Sequence, residues 1–268
     1  MARLTPNTGT LRLALNWVPI LMFHEVLPDD TAHLPPYAVT RSGLRAILSD
    51  FASRGYSAGT LDDVIHRHGF AENGGGTPTA KGKQVVITFD DGTRDFLDNA
   101  LPVLQETGFT ATLFIVAGMV GGKRTWHALP GQPNLAQVPL MGADELRTLH
   151  NRGFTIGSHS VAHPLLNTLS DKDAREELAR SRSILTEMIG QPIKWFAYPY
   201  LAATETTKKL ANESGYWGAC GGPNQPHSQY YLNRVDGSGY TLPELRKRTS
   251  GLYHITRQLV RQARYRQR

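Results

Sequence analysis

The chain has 268 residues, 40% of them hydrophobic, with a formal net charge of +6 and a single cysteine, Cys220. A chain of that length can bury a large apolar interior unaided and suits one α/β barrel, while one cysteine excludes an intrachain disulfide framework. Eight Lys or Arg and no acid lie from Arg246 to Arg268, so the other residues carry roughly −2 and the basicity belongs to the tail.

The N-terminus reads as a short segment, residues 1–18, without a signal peptide. Its apolar stretch Leu15–Val26 is interrupted by Asn16, Pro19, His24 and Glu25, which spoils both an h-region and a membrane span. The expectation is a soluble, cytoplasmic chain. Trp17–Phe23 reads as a short buried strand ending at His24-Glu25. Leu44, Ile47, Leu48 and Phe51 recur at helical spacing within 41–54, and Gly55 stops that helix. Residues 69–82, with three consecutive glycines, form a loop.

Gln84–Phe89 is a fully apolar strand of the parallel-sheet kind, followed by a helix over 96–107. Strand 112–116, helix 143–152 and strand 154–156 come next. Ser170 caps a long helix, which Gly190 ends one residue before Gln191-Pro192. Strand 193–197 and helix 204–214 complete the regular pattern. Strand and helix alternate with short connections, which predicts α/β architecture around a parallel sheet, closed or nearly closed. Residues 19–245 are expected to form one barrel domain and 246–268 a basic helix or tail. That tail is either a solvated terminal helix or a contact for an anionic membrane surface. No nucleic-acid motif accompanies it, so no nucleic-acid partner is expected.

In barrels of this kind the residues just after each strand line the active face. Asp90-Asp91 follow one strand, His159 another and Tyr198 a third. Two histidines four apart, His159 and His163, reach one point if their segment is helical. With Asp91 they form the two-nitrogen, one-oxygen set of a catalytic zinc site with an open position. Adjacent aspartates repel each other unless one is neutralised. An ion on Asp91 would remove that penalty and leave Asp90 free to deprotonate a water that the ion has acidified.

Thr88-Phe-Asp-Asp-Gly92, His159-Ser-x-x-His163 and Phe196-Ala-Tyr-Pro-Tyr200 resemble the first three motifs of the polysaccharide deacetylases, the carbohydrate esterases with a NodB homology domain. Pro19–Val26 and Leu232–Val235 resemble the opening and closing segments of the bacterial poly-N-acetylglucosamine deacetylase branch. The resemblance implies a distorted (β/α)7 TIM-like barrel that removes acetyl groups from N-acetylhexosamine units in a polysaccharide, oligosaccharide or glycolipid. It assigns Asp91, His159 and His163 to a divalent metal, zinc first and cobalt or nickel as substitutes. Asp90 is then the base, and the oxyanion is held by the metal and a backbone N–H near Tyr200. Tyr198, Pro199 and Tyr200 are expected to contact substrate.

Two departures from the pattern matter. Ala197 stands where many members carry the arginine that pairs with the base, which makes Arg234 the candidate partner of Asp90. No Leu-x-His motif occurs near the C-terminus, and His254 sits in a basic helical stretch, so His24 is the candidate proton donor. Trp126, His127, His227 and the 221–231 segment could line a sugar groove. The alternatives are a metal-dependent hydrolase of a small cyclic imide or amide on the same fold, and an inactive carbohydrate-binding homologue.

Overall fold

The computed structural model describes residues 17–70, 82–126 and 137–257. Strand β1 (Ile20–Phe23) is followed by a separate two-stranded pair, β2 (Glu25–Leu27) and β3 (Ala38–Thr40). Helix α1 (Arg41–Ser53) buries Leu44, Ile47, Leu48 and Phe51 and is capped by Thr40, whose Oγ1 accepts from the Gly43 N–H at 3.1 Å. Then come β4 (Tyr56–Ala58), α2 (Leu61–His68) with a Thr60–Asp63 capping box, and β5 (Lys83–Phe89).

The helix expected over 96–107 is instead a π-turn at Phe96–Ala100 leading into α3 (Leu101–Thr107). Pro102 has no N–H to give the Asp98 carbonyl, and the Arg41 guanidinium donates to that oxygen at 2.9 Å. Strand β6 (Thr112–Ile115), α4 (Ala143–Asn151), β7 (Thr155–Ser158), α5 (Asp171–Ile189) and β8 (Trp195–Ala197) follow. Ser170 Oγ accepts from Asp173 N at the start of α5, and Gly190 ends it in the left-handed region. The remaining elements are α6 (Glu205–Glu213), β9 (Gly218–Gly221), β10 (Leu232–Asn233), β11 (Val235–Asp236) and α7 (Leu242–Arg248).

The main sheet is parallel, in the order β10-β9-β8-β7-β6-β5-β1-β11, with β4 beside β5. Its two ends are separated in sequence by Arg234 alone: β10 pairs with β9 and β11 pairs with β1. The chain through Arg234 therefore joins the two edges and closes the sheet. With that joint taken as one stave, the result is the seven-stave α/β barrel that the resemblance implies.

Side chains alternate across the staves. Ile20, Val86, Phe114, Trp195, Ala197, Cys220 and Leu232 pack in one cluster to which α2 adds Leu61, Val64 and Ile65. Their neighbours Leu21, Ile87, Leu113, Ile156, Phe196 and Ala219 pack in a second cluster with residues of α1 and α3–α6. Strands β2–β4 and β9–β11 are two to four residues long, too short for a periodicity signal. Most of the loop over 69–82, and the tail beyond residue 257, lie outside the described residues. No described helix is long and apolar enough to cross a membrane.

Candidate active site

The Asp-Asp-Gly segment turns more sharply than an ordinary β-turn. Gly92 N–H donates to the Asp90 carbonyl at 2.9 Å, with φ 72° at Asp91 and 77° at Gly92. A two-residue hydrogen bond around a left-handed centre is a strained γ-turn. It gives the two aspartates separate surroundings. The five described non-glycine residues with positive φ are Asp91, Ser160, His163, Tyr200 and Leu201. All lie in the loops after β5, β7 and β8, so backbone strain is confined to this rim.

The helix that sequence spacing invited at His159–His163 does not form. Ser160 and His163 are left-handed, at φ 67° and 58°, and Pro164 follows. Side chains satisfy this backbone in place of a helical ladder. Ser160 Oγ accepts from His163 N at 2.9 Å, and Glu177 Oε2 accepts from Val161 N and Ala162 N at 2.8 and 3.1 Å. Both rings nevertheless meet Asp91: His159 Nε2 and His163 Nε2 lie 3.6 and 3.5 Å from Asp91 Oδ1.

These three side chains form the one described His/Cys/Asp/Glu group able to hold an ion, with ligand atoms within 4.8 Å of one another. His159 Nδ1 lies 2.8 Å from the Ala197 carbonyl, so it carries the proton and leaves Nε2 as a lone pair. Burial lowers the pKa of His159, and it lowers that of His163 well below the ordinary value, so both rings are neutral at pH 7. Asp91 Oδ1 is buried and accepts no hydrogen bond. Two histidine nitrogens and a carboxylate oxygen, all buried and aimed at one point, fit a divalent cation.

Asp90 is held differently. Arg234, fully buried, donates from Nη1 to Oδ1 at 2.6 Å and from Nη2 to Oδ2 at 2.7 Å, and also from Nη1 to Thr88 Oγ1. Burial, the largest single influence, raises the Asp90 pKa, but the Arg234 guanidinium, with His159 and His24, more than offsets it and the carboxyl is held at about 2. His24 follows β1 with Nε2 4.0 Å from Asp90 Oδ2 and its side chain 24% exposed. Beside it, Asp95 Oδ2 accepts from Val26 N and Asn99 donates to Val26 O, at 2.7 and 2.8 Å, which pins both backbone groups of that segment.

The remaining expected contacts divide. Tyr200 is half-buried over the site, its ring edge-on to His163 at 4.6 Å. Pro199 is buried beneath it. The Tyr198 side chain does not reach the rim. It is fully buried and donates its hydroxyl to the Tyr230 carbonyl, because strand alternation turns it into the outer core. Trp126 is 8% exposed and stacks on His163 at 4.7 Å, so it backs that ring as a wall.

His227 and His254 both pack on Trp17, which precedes β1 at the opposite end of the barrel, with centroids 5.0 and 3.9 Å away. His227 accepts from Asn233 N at the base of β10, since the 222–231 segment runs back down the barrel to start that strand. Neither belongs to a groove at this rim. His127 lies outside the described residues. Sequence reasoning missed Arg124, Glu177 and Tyr37, none of which carries a motif. Arg124 and Glu25 form a buried ion pair of 2.5 Å next to Asp91.

The polysaccharide deacetylase family model matches residues 77–219. Over 157 residues the chain is 30% identical to YxkH of Bacillus subtilis (strain 168), covering 57% of this chain and 51% of that protein. It is 24% identical over 184 residues to a poly-beta-1,6-N-acetyl-D-glucosamine N-deacetylase of Staphylococcus aureus (strain MSSA476), covering 64% and 60%. The solved Streptococcus pyogenes deacetylase PplD, in complex with acetate, superposes with a TM-score of 0.69 at 24% identity, covering 87% of this chain and 98% of that one. That likeness is one of fold. The chain spans about half the length of the first curated relatives it matches.

Proposed function

Because the chain belongs to the polysaccharide deacetylase family, we propose that it hydrolyses the N-acetyl group of N-acetylhexosamine units in a polysaccharide, oligosaccharide or glycolipid, releasing acetate. The observation that carries this reading is the pairing of two unlike carboxylates on one turn. Asp91 shares a point with two histidine nitrogens, while Asp90 beside it is kept ionised by Arg234. A binding protein would have no use for the second of these.

A divalent ion on Asp91, His159 and His163, zinc in this reading, would supply Lewis-acid activation of the acetamide carbonyl and of the attacking water. Asp90 accepts the proton of that water. Arg234 fixes both carboxylate oxygens, so the base is ionised and oriented before substrate arrives. A carboxyl held at about pKa 2 is a weak base that releases its proton readily. His24, on the same side as Asp90 Oδ2, protonates the sugar nitrogen as the C–N bond breaks. Tyr200 encloses the acetyl side.

The test is acetate release from N-acetylglucosamine oligomers by the purified chain, abolished by a chelator and restored by zinc. Asp90→Asn should retain metal and lose turnover. Hydrolysis of small cyclic amides without acetate release from oligomers would replace this reading with the small-amide one, and sugar binding without turnover at full metal occupancy would replace it with a binding role.

A further inference from the structure

The chemistry above gives no task to the ion pair packed beside the metal ligands. Arg124 and Glu25 are 1% and 3% exposed. Arg124 Nη1 lies 2.5 Å from Glu25 Oε1 and 3.7 Å from Asp91 Oδ2. The ring of Tyr37 stands over the guanidinium, its centroid 5.6 Å from Cζ. The Asp91 carboxylate is thereby divided. Oδ1 faces the two histidine nitrogens and Oδ2 faces Arg124.

Burial of a charged pair costs several kcal/mol per ion, and an apolar pair of the same volume usually stabilises a fold as well or better. Stability is therefore a poor reason for this pair. Its placement suggests another. Asp91 sits at the centre of a strained turn, where nothing in the backbone selects which carboxylate oxygen is presented. The two adjacent aspartates have each been given their own buried arginine, Arg234 for Asp90 and Arg124 for Asp91. Only Arg124 is countered by a further acid. Asp90, Asp91 and Glu25 together outnumber the two arginines by one negative charge, which favours a cation.

We propose that Arg124, held by Glu25, is a positioning residue for Asp91. It keeps Oδ2 turned away so that Oδ1 alone is offered to the ion, and Glu25 keeps the arginine from cancelling the ligand's charge. The inference rests on the metal-dependent reading of the site, but its test needs no substrate. Zinc affinity is measured by competition with a chromophoric chelator, and geometry by the visible absorption of the cobalt(II) form, for wild type, Arg124→Lys and Glu25→Gln, with melting curves of the metal-free chains. Arg124→Lys keeps the charge and loses the fork, and Glu25→Gln keeps the shape and loses the charge.

Loss of a group that orients a metal ligand lowers affinity by about 10–100-fold, and that loss is expected in both variants, with an altered cobalt band. Folded variants that lose less than about tenfold and keep the wild-type cobalt spectrum overturn the proposal. If a single variant fails to fold, the paired Arg124→Met, Glu25→Met chain is read by the same criterion, since removal of both charges together spares the fold an unpaired ion. A wild-type chain that takes up neither zinc nor cobalt would sink the metal reading itself, and this inference with it. That outcome is distinct from a wild type that binds while its variants bind equally well.

Discussion

Arg234 grips both carboxylate oxygens of Asp90, at 2.6 and 2.7 Å, from the one residue that separates the two edge strands of the sheet. The joint that closes the barrel and the partner of Asp90 are the same residue. Asp90 in turn is where β5 leaves the sheet, so the pair ties the closing stave to the turn that carries Asp91.

Arg234→Met should therefore act on stability as well as on turnover. It strands a buried carboxylate, and removal of one partner of a buried pair costs about 3–5 kcal/mol. Urea unfolding of the metal-free chain measures this. Asp90→Asn combined with Arg234→Met should cost less than the two single changes summed, because the stranded charge is gone.

The same pair sets an acid limb. The folded Asp90 carboxyl is held at about 2, below the roughly 3.9 of an unfolded chain. Its contribution is thus fully present above about pH 4 and lost as pH falls toward 2, amounting to roughly 2–3 kcal/mol at about 1.4 kcal/mol per pH unit. Denaturation between pH 2 and 5 should show a steeper decline for wild type than for Asp90→Asn. Parallel slopes would refute the assignment.

His24→Asn tests the proton donor. Loss of a positioned general acid lowers turnover by about 10²–10⁴-fold, and metal content should be unchanged because His24 lies outside the Asp91, His159, His163 group. Turnover within a few-fold of wild type would transfer the role to another group.

Trp126→Leu separates two roles for that ring. Its stacking on His163 at 4.7 Å predicts that zinc affinity falls while KM for oligosaccharide changes little. A raised KM at unchanged affinity would restore the sugar-contact role expected from sequence.

Gly92→Ala should destabilise the turn by about 1–3 kcal/mol. The glycine has φ 77°, and a Cβ there would meet Ile115 Cδ1 at 2.9 Å. Thermal melting of the metal-free chain reads it directly.

Much of the fold was legible because it is local. Ser170 and Gly190 mark the ends of one helix through groups within four residues of themselves, and Gln84–Phe89 is apolar enough to name its own burial. The 96–107 helix was read correctly as an element and incorrectly as uniform, since the effect of Pro102 depends on Arg41, which supplies the donor from another helix. The short strands β9–β11 had no signal, although they close the barrel.

In the site, residue type and order along the chain were enough to nominate Asp91, His159 and His163, because a metal needs side chains of those types and the strand ends set their level. Only the tertiary structure decided how they meet. The histidine turn is held open by Glu177 instead of a helical ladder, and Tyr198 is turned inward. Arg234, nominated as the partner of Asp90 from the family resemblance, reaches it across 144 residues, whereas Arg124 reaches Glu25 and Asp91 from a segment with no motif. Local backbone preferences can be read from neighbours in sequence. The partner of a buried charge is chosen by whichever side chain the closed barrel brings within 3 Å, and no window along the chain contains that information.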